Sequence, residues 1–200
     1  MSKILFINAC VRGEESRTLK LARAFLEAYA PLHPGDVIVE RDLVKERLEP
    51  LYPETLAEKQ ALERAGRLDA PMFALSREFA GADKLVVAAP FWELAFPAVL
   101  RIYLERISAV NLTFGYGPNG EELGLCRGEK MLFLTTRGGD FTGERARQEM
   151  GARYLEALCE HFGIGSFQCL SADGLDDQKL DGHAILADAL ERARALARVF

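Results

Sequence analysis

The chain alternates short runs of consecutive apolar residues with longer segments in which apolar residues recur at helical spacing. The short runs are typical of buried strands, and they cover residues 4–7, 37–39, 85–89, 131–134 and 167–170. The segments with helical spacing cover residues 16–29, 56–67, 71–80, 97–110, 144–162 and 176–199. Near-continuous apolar strands separated by helices predict an α/β fold: a doubly wound, five-stranded parallel sheet with helices on both faces.

The length of 200 residues suits a single domain over residues 1–200, because it is enough for one full hydrophobic core and too short for two domains with full cores. Residues 42–70 depart from the alternating pattern. They are polar and contain Pro50 and Pro53, so we interpret them as a lid-like excursion over a site. Residues 112–126 form a second insertion, which we predict to be a hairpin or a loop.

A glycine-rich stretch at residues 115–120 matches the pattern G-x-G-x-x-G of dinucleotide-binding loops. That motif requires a strand before it and a helix directly after it. Here Pro118-Asn119-Gly120 demands a turn, and no helix opens after it. We therefore interpret the stretch as a turn and not as a dinucleotide site.

The charge balance gives no sign of a nucleic-acid partner. The chain carries 30 acidic and 25 basic residues, a formal net charge of −5, and no basic stripe with interleaved aromatic residues. No apolar run approaches the roughly 20 residues of a membrane-spanning helix, and the run at residues 4–7 is too short for a signal peptide. We expect a cytoplasmic protein without nucleic-acid or membrane partners.

The positions of cysteine and histidine argue against a metal. The four cysteines form no C-x-x-C pair, and the three histidines are isolated and never fall in H-E-x-x-H. Neither zinc, an iron–sulfur cluster nor a dithiol redox motif is indicated. We predict no metal site.

Three of the predicted strands run into loops whose residues suit a ligand. We name them the N-terminal loop (residues 8–18), the aromatic loop (residues 90–94) and the glycine loop (residues 135–140). The carboxyl ends of parallel strands meet at one edge of a sheet, where α/β proteins commonly bind ligands. We therefore expect the three loops to converge on one site.

The N-terminal loop ends at a predicted helix start, with Ser16, Arg17 and Thr18 in succession. Free backbone N–H groups, two hydroxyls and a guanidinium together suit a phosphate dianion. From this loop alone, the alternative that Ser16 only caps the helix stays open.

The aromatic loop, Pro90-Phe91-Trp92-Glu93-Leu94, offers two rings to a planar cofactor such as flavin. The alternative for any single ring is that it belongs to the core and caps the sheet. The convergence of this loop with the other two favours the interpretation that its rings contact a ligand.

The glycine loop contains Thr136-Arg137-Gly138-Gly139. Two glycines let the backbone approach a ligand, so that its N–H groups can donate to ring carbonyls, with Arg137 adding positive charge near a reduced flavin. An ordinary strand-to-helix turn is the alternative.

Five separated stretches, in the same order, carry a family resemblance: residues 1–5, 16–18, 89–92, 110–116 with Gly120, and 136–139. On these residues the chain resembles the FMN-dependent azoreductase and NAD(P)H:quinone oxidoreductase family of flavodoxin-like enzymes. The resemblance implies a flavodoxin-like fold, bound FMN, NADH or NADPH as electron donor, and ping-pong transfer of two electrons to quinones, azo compounds or similar flat aromatic acceptors. It also implies a homodimer that shares the substrate pocket between subunits, and no obligatory acid–base side chain.

By the same resemblance, the N-terminal loop would hold the FMN phosphate, the aromatic loop would line the isoalloxazine edge and N5, and the glycine loop would bind the pyrimidine end. The positions that it assigns to the cofactor are Cys10, Ser16, Arg17, Thr18, Pro90, Phe91, Trp92, Glu93, Leu94, Thr136, Arg137, Gly138 and Gly139.

Some of these positions depart from the family pattern. The family commonly has Ser at positions 10 and 136 and Met-Tyr-Asn-Phe at positions 91–94, where this chain has Cys10, Thr136 and Phe-Trp-Glu-Leu. A carboxylate at Glu93, near N5, would disfavour negative charge on the reduced flavin, so we expect an altered potential or substrate range. The bulkier Trp92 would narrow or flatten the pocket.

Two other functions on the same scaffold stay open. A flavodoxin-like electron carrier would hold flavin but pass electrons to a protein, and its surface is usually strongly acidic, whereas −5 is mild. A flavin-less ligand-binding or regulatory protein would account for the departures at Cys10, Glu93 and Leu94. The FMN-dependent oxidoreductase is the leading prediction.

Overall fold

The computed structural model describes residues 1–200. It contains seven strands: β1 (Lys3–Asn8), β2 (Val37–Asp42), β3 (Lys84–Ala88), β4 (Phe114–Tyr116), β5 (Glu122–Gly124), β6 (Lys130–Thr136) and β7 (Phe167–Ala172). Five of them pair in parallel, in the order β2-β1-β3-β6-β7. This order confirms the predicted doubly wound, five-stranded parallel sheet of flavodoxin-like topology.

Seven α-helices connect the strands: α1 (Arg17–Leu32), α2 (Leu43–Glu46), α3 (Pro53–Arg64), α4 (Ala74–Ala80), α5 (Ala98–Ile107), α6 (Gly151–Phe162) and α7 (Gly182–Leu196). Alternate residues of the central strands point to opposite faces of the sheet. Phe6 and Val86 pack with α1 and α7, whereas Ile7 and Val87 pack with α4, α5 and α6. Both faces are therefore buried, which explains the near-continuous apolar strands. None of the helices is long and apolar enough to cross a bilayer.

The bounds of α1, α3 and α5 differ from the predicted ones by at most three residues, and the segment predicted as a helix over residues 71–80 is a 3-10 helix at Pro71–Phe73 followed by α4. Two helix starts differ more, because carboxylates cap helices where periodicity alone gave no boundary. The segment predicted as one helix over residues 144–162 is a 3-10 helix at Gly143–Gln148 followed by α6, whose first N–H groups are capped by the buried Glu149. α7 begins later than predicted, since Asp181 caps its first N–H groups. Residues 173–181 consequently form a loop after β7, which we call the distal loop.

The excursion at residues 42–70 contains α2 and α3. Lys59 of α3 is buried, and its ammonium group donates to the carbonyl oxygens of Glu105 (3.3 Å) and Ser108 at the C-terminal end of α5. The aromatic loop precedes the N-terminal end of α5, so Lys59 contacts the end of this helix that is farther from the loop. The lid interpretation stays a prediction, and these contacts favour a structural role for α3.

β4 and β5 pair antiparallel and form a hairpin within residues 112–126. The glycine-rich stretch lies in this hairpin, and Gly120 at its turn has φ +83°. A Cβ at Gly124 would lie 2.0 Å from the backbone nitrogen of Gly163, so the hairpin backbone packs directly against the end of α6. Close backbone packing accounts for Gly124, and the hairpin turn accounts for Gly120 in the glycine-rich stretch.

Candidate functional site

A cleft of about 300 Å³ opens at the carboxyl edge of the main sheet, where the N-terminal, aromatic and glycine loops meet. Its lining consists of Arg12, Glu15, Ser16, Arg17, Pro90, Phe91, Trp92, Thr136, Gly138 and Asp176. The structure thus brings together seven of the positions that the family resemblance assigned to a cofactor. Asp176 belongs to the distal loop, and no sequence pattern had singled it out.

The N-terminal loop presents free N–H groups at the start of α1. The Ser16 hydroxyl caps the helix by accepting a hydrogen bond from the N–H of Leu19 (3.3 Å). The N–H groups of Arg17 and Thr18, the first two residues of α1, meet no acceptor in the protein. The helix macrodipole adds partial positive charge at the same place. Ser16 therefore caps the helix and also borders a site that suits an anion.

Cys10 and Thr18 lie beneath the cleft and do not line it. Cys10 is 3% exposed, its thiol donates to the carbonyl oxygen of Ala88 (3.6 Å), and burial raises its pKa to about 11. The hydroxyl of Thr18 is hydrogen-bonded to that of Thr136 at 2.6 Å. This buried pair ties the start of α1 to the end of β6, so Thr18 joins two of the loops by its side chain.

The aromatic loop supplies one wall of the cleft. The ring of Phe91 packs against that of Phe141 with centroids 4.4 Å apart, and the N–H of Phe91 donates to the carbonyl oxygen of Thr136 (3.1 Å). Trp92 keeps 38% of its surface exposed. Its ring is therefore a platform available to a planar ligand and not a core residue.

The next two residues of the aromatic loop have unusual backbone conformations. Glu93 has φ +46° and Leu94 has φ +66°, in the left-handed region that residues other than glycine rarely adopt. Their N–H groups, and that of Trp92, meet no acceptor in the protein. The Leu94 carbonyl accepts from the N–H of Met150 (2.9 Å), so the start of α6 holds the loop in place. Both side chains are exposed outside the cleft lining, and such backbone strain is typical of functional loops.

The glycine loop is fixed by the distal loop. The carbonyl oxygens of residues 137, 138 and 139 each accept a hydrogen bond from an N–H of the distal loop, at 3.1, 2.9 and 3.1 Å. The N–H groups of Gly138 and Gly139 meet no acceptor. These two free donors lie on a backbone without side chains, so a ligand oxygen can approach them closely.

The Arg137 side chain points into a buried cluster instead of the cleft. Its guanidinium, 8% exposed, pairs with Asp173 (2.9 Å) and with Glu149 (3.3 Å). It also lies over the ring of Phe91, 5.5 Å from the centroid. Two carboxylates neutralise its charge, so the expectation that Arg137 adds positive charge near a bound ring does not match the structure.

Arg17 forms a second ion pair, at the rim of the cleft. Its Nη1 and Nη2 atoms donate to the two carboxylate oxygens of Asp176 at 2.8 and 3.1 Å. The side chains of Arg17 and Asp176 are 34% and 63% exposed. The hydrogen bond from Arg17 lowers the pKa of the Asp176 carboxyl, which is therefore ionised at neutral pH. The two residues are 159 positions apart, which is why sequence spacing gives no sign of this pair.

The arrangement suits a flat ligand that carries an anionic group. The start of α1 offers N–H donors to the anion, Trp92 offers a ring, and the aromatic and glycine loops offer N–H donors to a ring edge. The lining contains no histidine, cysteine, lysine or tyrosine, and no group of three or more histidine, cysteine or acidic side chains could hold a metal ion. The free N–H donors and the exposed ring of Trp92 fit a flat organic group with an anionic end.

Comparison with known proteins finds relatives along the whole chain. The model of the flavodoxin-like fold family matches residues 2–197. An FMN-dependent NADH:quinone oxidoreductase of Clostridium acetobutylicum is 37% identical over 202 residues, and one of Bacillus pumilus is 34% identical over 212, each with 100% of both chains covered.

Solved structures agree with these sequence matches. An azoreductase from Bacillus anthracis superposes with a TM-score of 0.89 at 30% identity, covering 100% of both chains. An FMN-dependent NADH-azoreductase from the same species, in complex with FMN, has a TM-score of 0.86 at 25% identity and 98% coverage of both chains. The resemblance predicted from five sequence stretches is confirmed.

Proposed function

This chain belongs to the flavodoxin-like family of the FMN-dependent NADH:quinone oxidoreductases and azoreductases, and we propose that it is such an oxidoreductase with FMN as its cofactor. NADH or NADPH supplies two electrons, and a quinone, an azo compound or a similar flat aromatic molecule accepts them. The names of the relatives, and the FMN complex of one structural neighbour, support this assignment.

The observation that carries the proposal is the convergence of free backbone donors on one cleft. The N–H group of Arg17 and the hydroxyl of Ser16 suit the phosphate of FMN, and the N–H groups of Trp92 and Gly138 suit the polar edge of its ring; all four residues line the cleft. The exposed ring of Trp92 lines the same cleft as these two sets of donors. One ligand with a phosphate at one end and a flat, polar-edged ring at the other satisfies both sets.

When bound, FMN would supply the redox chemistry, which is the transfer of two electrons from the nicotinamide to the acceptor with protons from solvent. The protein binds and orients. We propose a ping-pong order, as the family resemblance implies, in which the donor leaves the cleft before the acceptor takes its place. No side chain in the cleft lining needs to act as an acid or a base.

We also infer a homodimer, because apolar surface lies beside the aromatic loop. Leu94 and Met150 are each 46% exposed. Met150 lines a second cavity, of about 430 Å³, together with Phe96 and Tyr154. Exposed apolar patches of this kind mark interfaces. Sedimentation equilibrium should show a dimer for the wild type and a shift towards monomer for Met150→Asp.

We also propose a cytoplasmic location, because NADH is available there as the electron donor.

The test of function is the visible spectrum of the purified protein reconstituted with FMN under anaerobic conditions. Addition of NADH should bleach the bound flavin, and a quinone should then restore its absorbance. Parallel additions of NADPH and of an azo dye define the donor and the acceptor range. Bound flavin that NADH does not bleach would favour the electron carrier, and the absence of bound flavin would favour the flavin-less ligand-binding protein.

A further inference from the structure

Arg17 and Asp176 form the rim pair, which connects the N-terminal loop to the distal loop across one side of the cleft. The contact is bidentate, with nitrogen–oxygen distances of 2.8 and 3.1 Å, and Arg17 also donates to the carbonyl oxygen of Leu175 (3.4 Å). Arg17 is the first residue of α1, whose free N–H groups face the same cleft. A guanidinium at the start of α1, where we propose the phosphate site, is therefore already paired with an anion of the protein.

The position of Asp176 is set by its backbone. Its N–H donates to the carbonyl oxygen of Gly138 (2.9 Å), within the set of three hydrogen bonds that join the distal and glycine loops. A Cβ at Gly138 would lie 2.4 Å from the Oδ2 atom of Asp176, so the carboxylate rests directly on this glycine. Asp176 lines both the cleft and a larger open depression of about 560 Å³ next to it. The carboxylate thus stands in the wall between the two.

A phosphate dianion entering this cleft meets two opposing effects. The free N–H groups of α1 attract it, whereas the Asp176 carboxylate repels it and occupies Arg17. A guanidinium binds carboxylate and phosphate by the same bidentate geometry, so the two anions compete for it. The side chain of Asp176 is 63% exposed, and exposed ion pairs are weak, so exchange of one anion for the other costs little.

We propose that Asp176 is an internal competitor of the FMN phosphate: it occupies Arg17 in the apoprotein and must release it when the cofactor binds. This inference rests on the proposed function, because it takes the ligand to be a flavin with a phosphate. Asp176 then sets the affinity for FMN and the selectivity for FMN over riboflavin, which has no phosphate. It acts through Arg17 and touches no reacting atom.

The test compares Asp176→Asn with Asp177→Asn in the apoprotein of the full chain. Both variants remove one negative charge from the distal loop, and both residues line the open depression, but only Asp176 pairs with Arg17. Flavin fluorescence titrations give the dissociation constants for FMN and riboflavin. We expect Asp176→Asn to bind FMN roughly fivefold more tightly than wild type and to bind riboflavin equally well. Asp177→Asn should change neither constant by more than about twofold.

A third variant separates competition from a general charge effect. In an Arg17→Gln background, Asp176→Asn should have no effect on the FMN constant beyond that of Asp177→Asn, because the guanidinium with which Asp176 pairs is gone. Weaker FMN binding by Asp176→Asn would overturn the inference and make Asp176 a support for Arg17. Unchanged binding, or equal tightening by Asp177→Asn, would overturn it as well.

These outcomes are distinct from a failure of the proposed function. If the wild type binds FMN and only the variants behave otherwise, the competitor inference alone fails. If the wild type binds no FMN, the proposed function fails, and inorganic phosphate becomes the ligand in the same series, measured by calorimetry. Asp176→Asn should then still bind phosphate more tightly than wild type and Asp177→Asn, and an equal affinity in all three proteins would overturn the inference too.

Discussion

Two arginines flank the same cleft, and each is paired with an aspartate of the distal loop. Arg137 pairs with Asp173, and Arg17 pairs with Asp176, three positions further along the chain. The distances are nearly the same, 2.9 and 2.8 Å, but the arginine side chains are 8% and 34% exposed. The ion-pair chemistry is thus the same, and burial decides what each pair can do.

The buried cluster of Arg137, Asp173 and Glu149 is structural. It joins the ends of β6 and β7 to the start of α6, and the guanidinium lies over the ring of Phe91 in the cleft wall. Separating these charges without water around them is expensive. The rim pair, in contrast, exchanges its partners with solvent and with a ligand at little cost.

The largest expected effect is that of Arg137→Met. It leaves two buried carboxylates without a cation, which typically costs about 3–5 kcal/mol of the free energy of unfolding. Denaturant titration followed by circular dichroism measures the loss. The matched control is Arg17→Met, which should cost less than about 1 kcal/mol. Similar losses for the two variants would contradict the division into a structural and an exchangeable pair.

The same substitution at the two aspartates sharpens the comparison. Asp173→Asn removes one of the two carboxylates paired with Arg137, a side chain that is only 16% exposed, and it weakens the hydrogen bond that the Ser171 hydroxyl donates to this carboxylate at 2.5 Å. We expect a loss of about 2 kcal/mol. Asp176→Asn should cost less than about 1 kcal/mol, because that pair is exposed. Thermal unfolding of both proteins at one ionic strength measures the difference, and a larger loss for Asp176→Asn would break the comparison.

The distinction between these pairs could not be predicted from the sequence, although the framework around them could. Apolar runs identified all five strands of the sheet. The central strands β1, β3 and β6 are buried at nearly every position, as parallel strands covered on both faces require, whereas the edge strands β2 and β7 are only partly buried. The three loops follow from strand ends. The direction of the Arg137 side chain could not be predicted, because loop residues have no periodicity that tells which side chains face the cleft.

Contacts of the distal loop were also beyond sequence reasoning. Periodicity placed the start of the last helix at residue 176, whereas the Asp181 cap delays it to residue 182 and leaves Asp176 in the loop. The pairing of residues 17 and 176 is then a consequence of tertiary structure. The burial of Cys10, one of the predicted cofactor positions, was not predictable either. A residue just after a strand can face the core or the cleft, and the structure buries Cys10 beneath the cleft.

An uncharged buried pair of hydroxyls tests whether burial alone, without charge, makes a pair of side chains important for stability. The hydroxyls of Thr18 and Thr136 bind each other at 2.6 Å between the N-terminal and glycine loops. Thr18→Val leaves the Thr136 hydroxyl without this partner and should cost about 1–2 kcal/mol. The double variant Thr18→Val, Thr136→Val should recover part of the loss, since two methyl groups then replace two hydroxyls. Denaturant titration of the four proteins gives the coupling, and strictly additive losses would show that the hydroxyls do not act as a pair.

The smallest expected effect concerns Glu93, an exposed carboxylate of the aromatic loop for which the structure shows no ion pair or hydrogen bond. Its φ of +46° is a conformation that asparagine adopts more easily than glutamate, so Glu93→Asn should stabilise the protein by about 0.5 kcal/mol. If the carboxylate lies close to the flavin ring, its removal also favours the negative charge that accompanies reduction. We then expect the reduction potential of the bound flavin to rise, by about 30 mV for each tenfold change in the two-electron equilibrium. Equilibration with a dye of known potential measures the shift, with Glu15→Gln, a carboxylate of the cleft lining that belongs to the N-terminal loop, as the control. A more stable variant with an unchanged potential would mean that the Glu93 carboxylate points into solvent, and that position 93 serves the flavin through its backbone N–H alone.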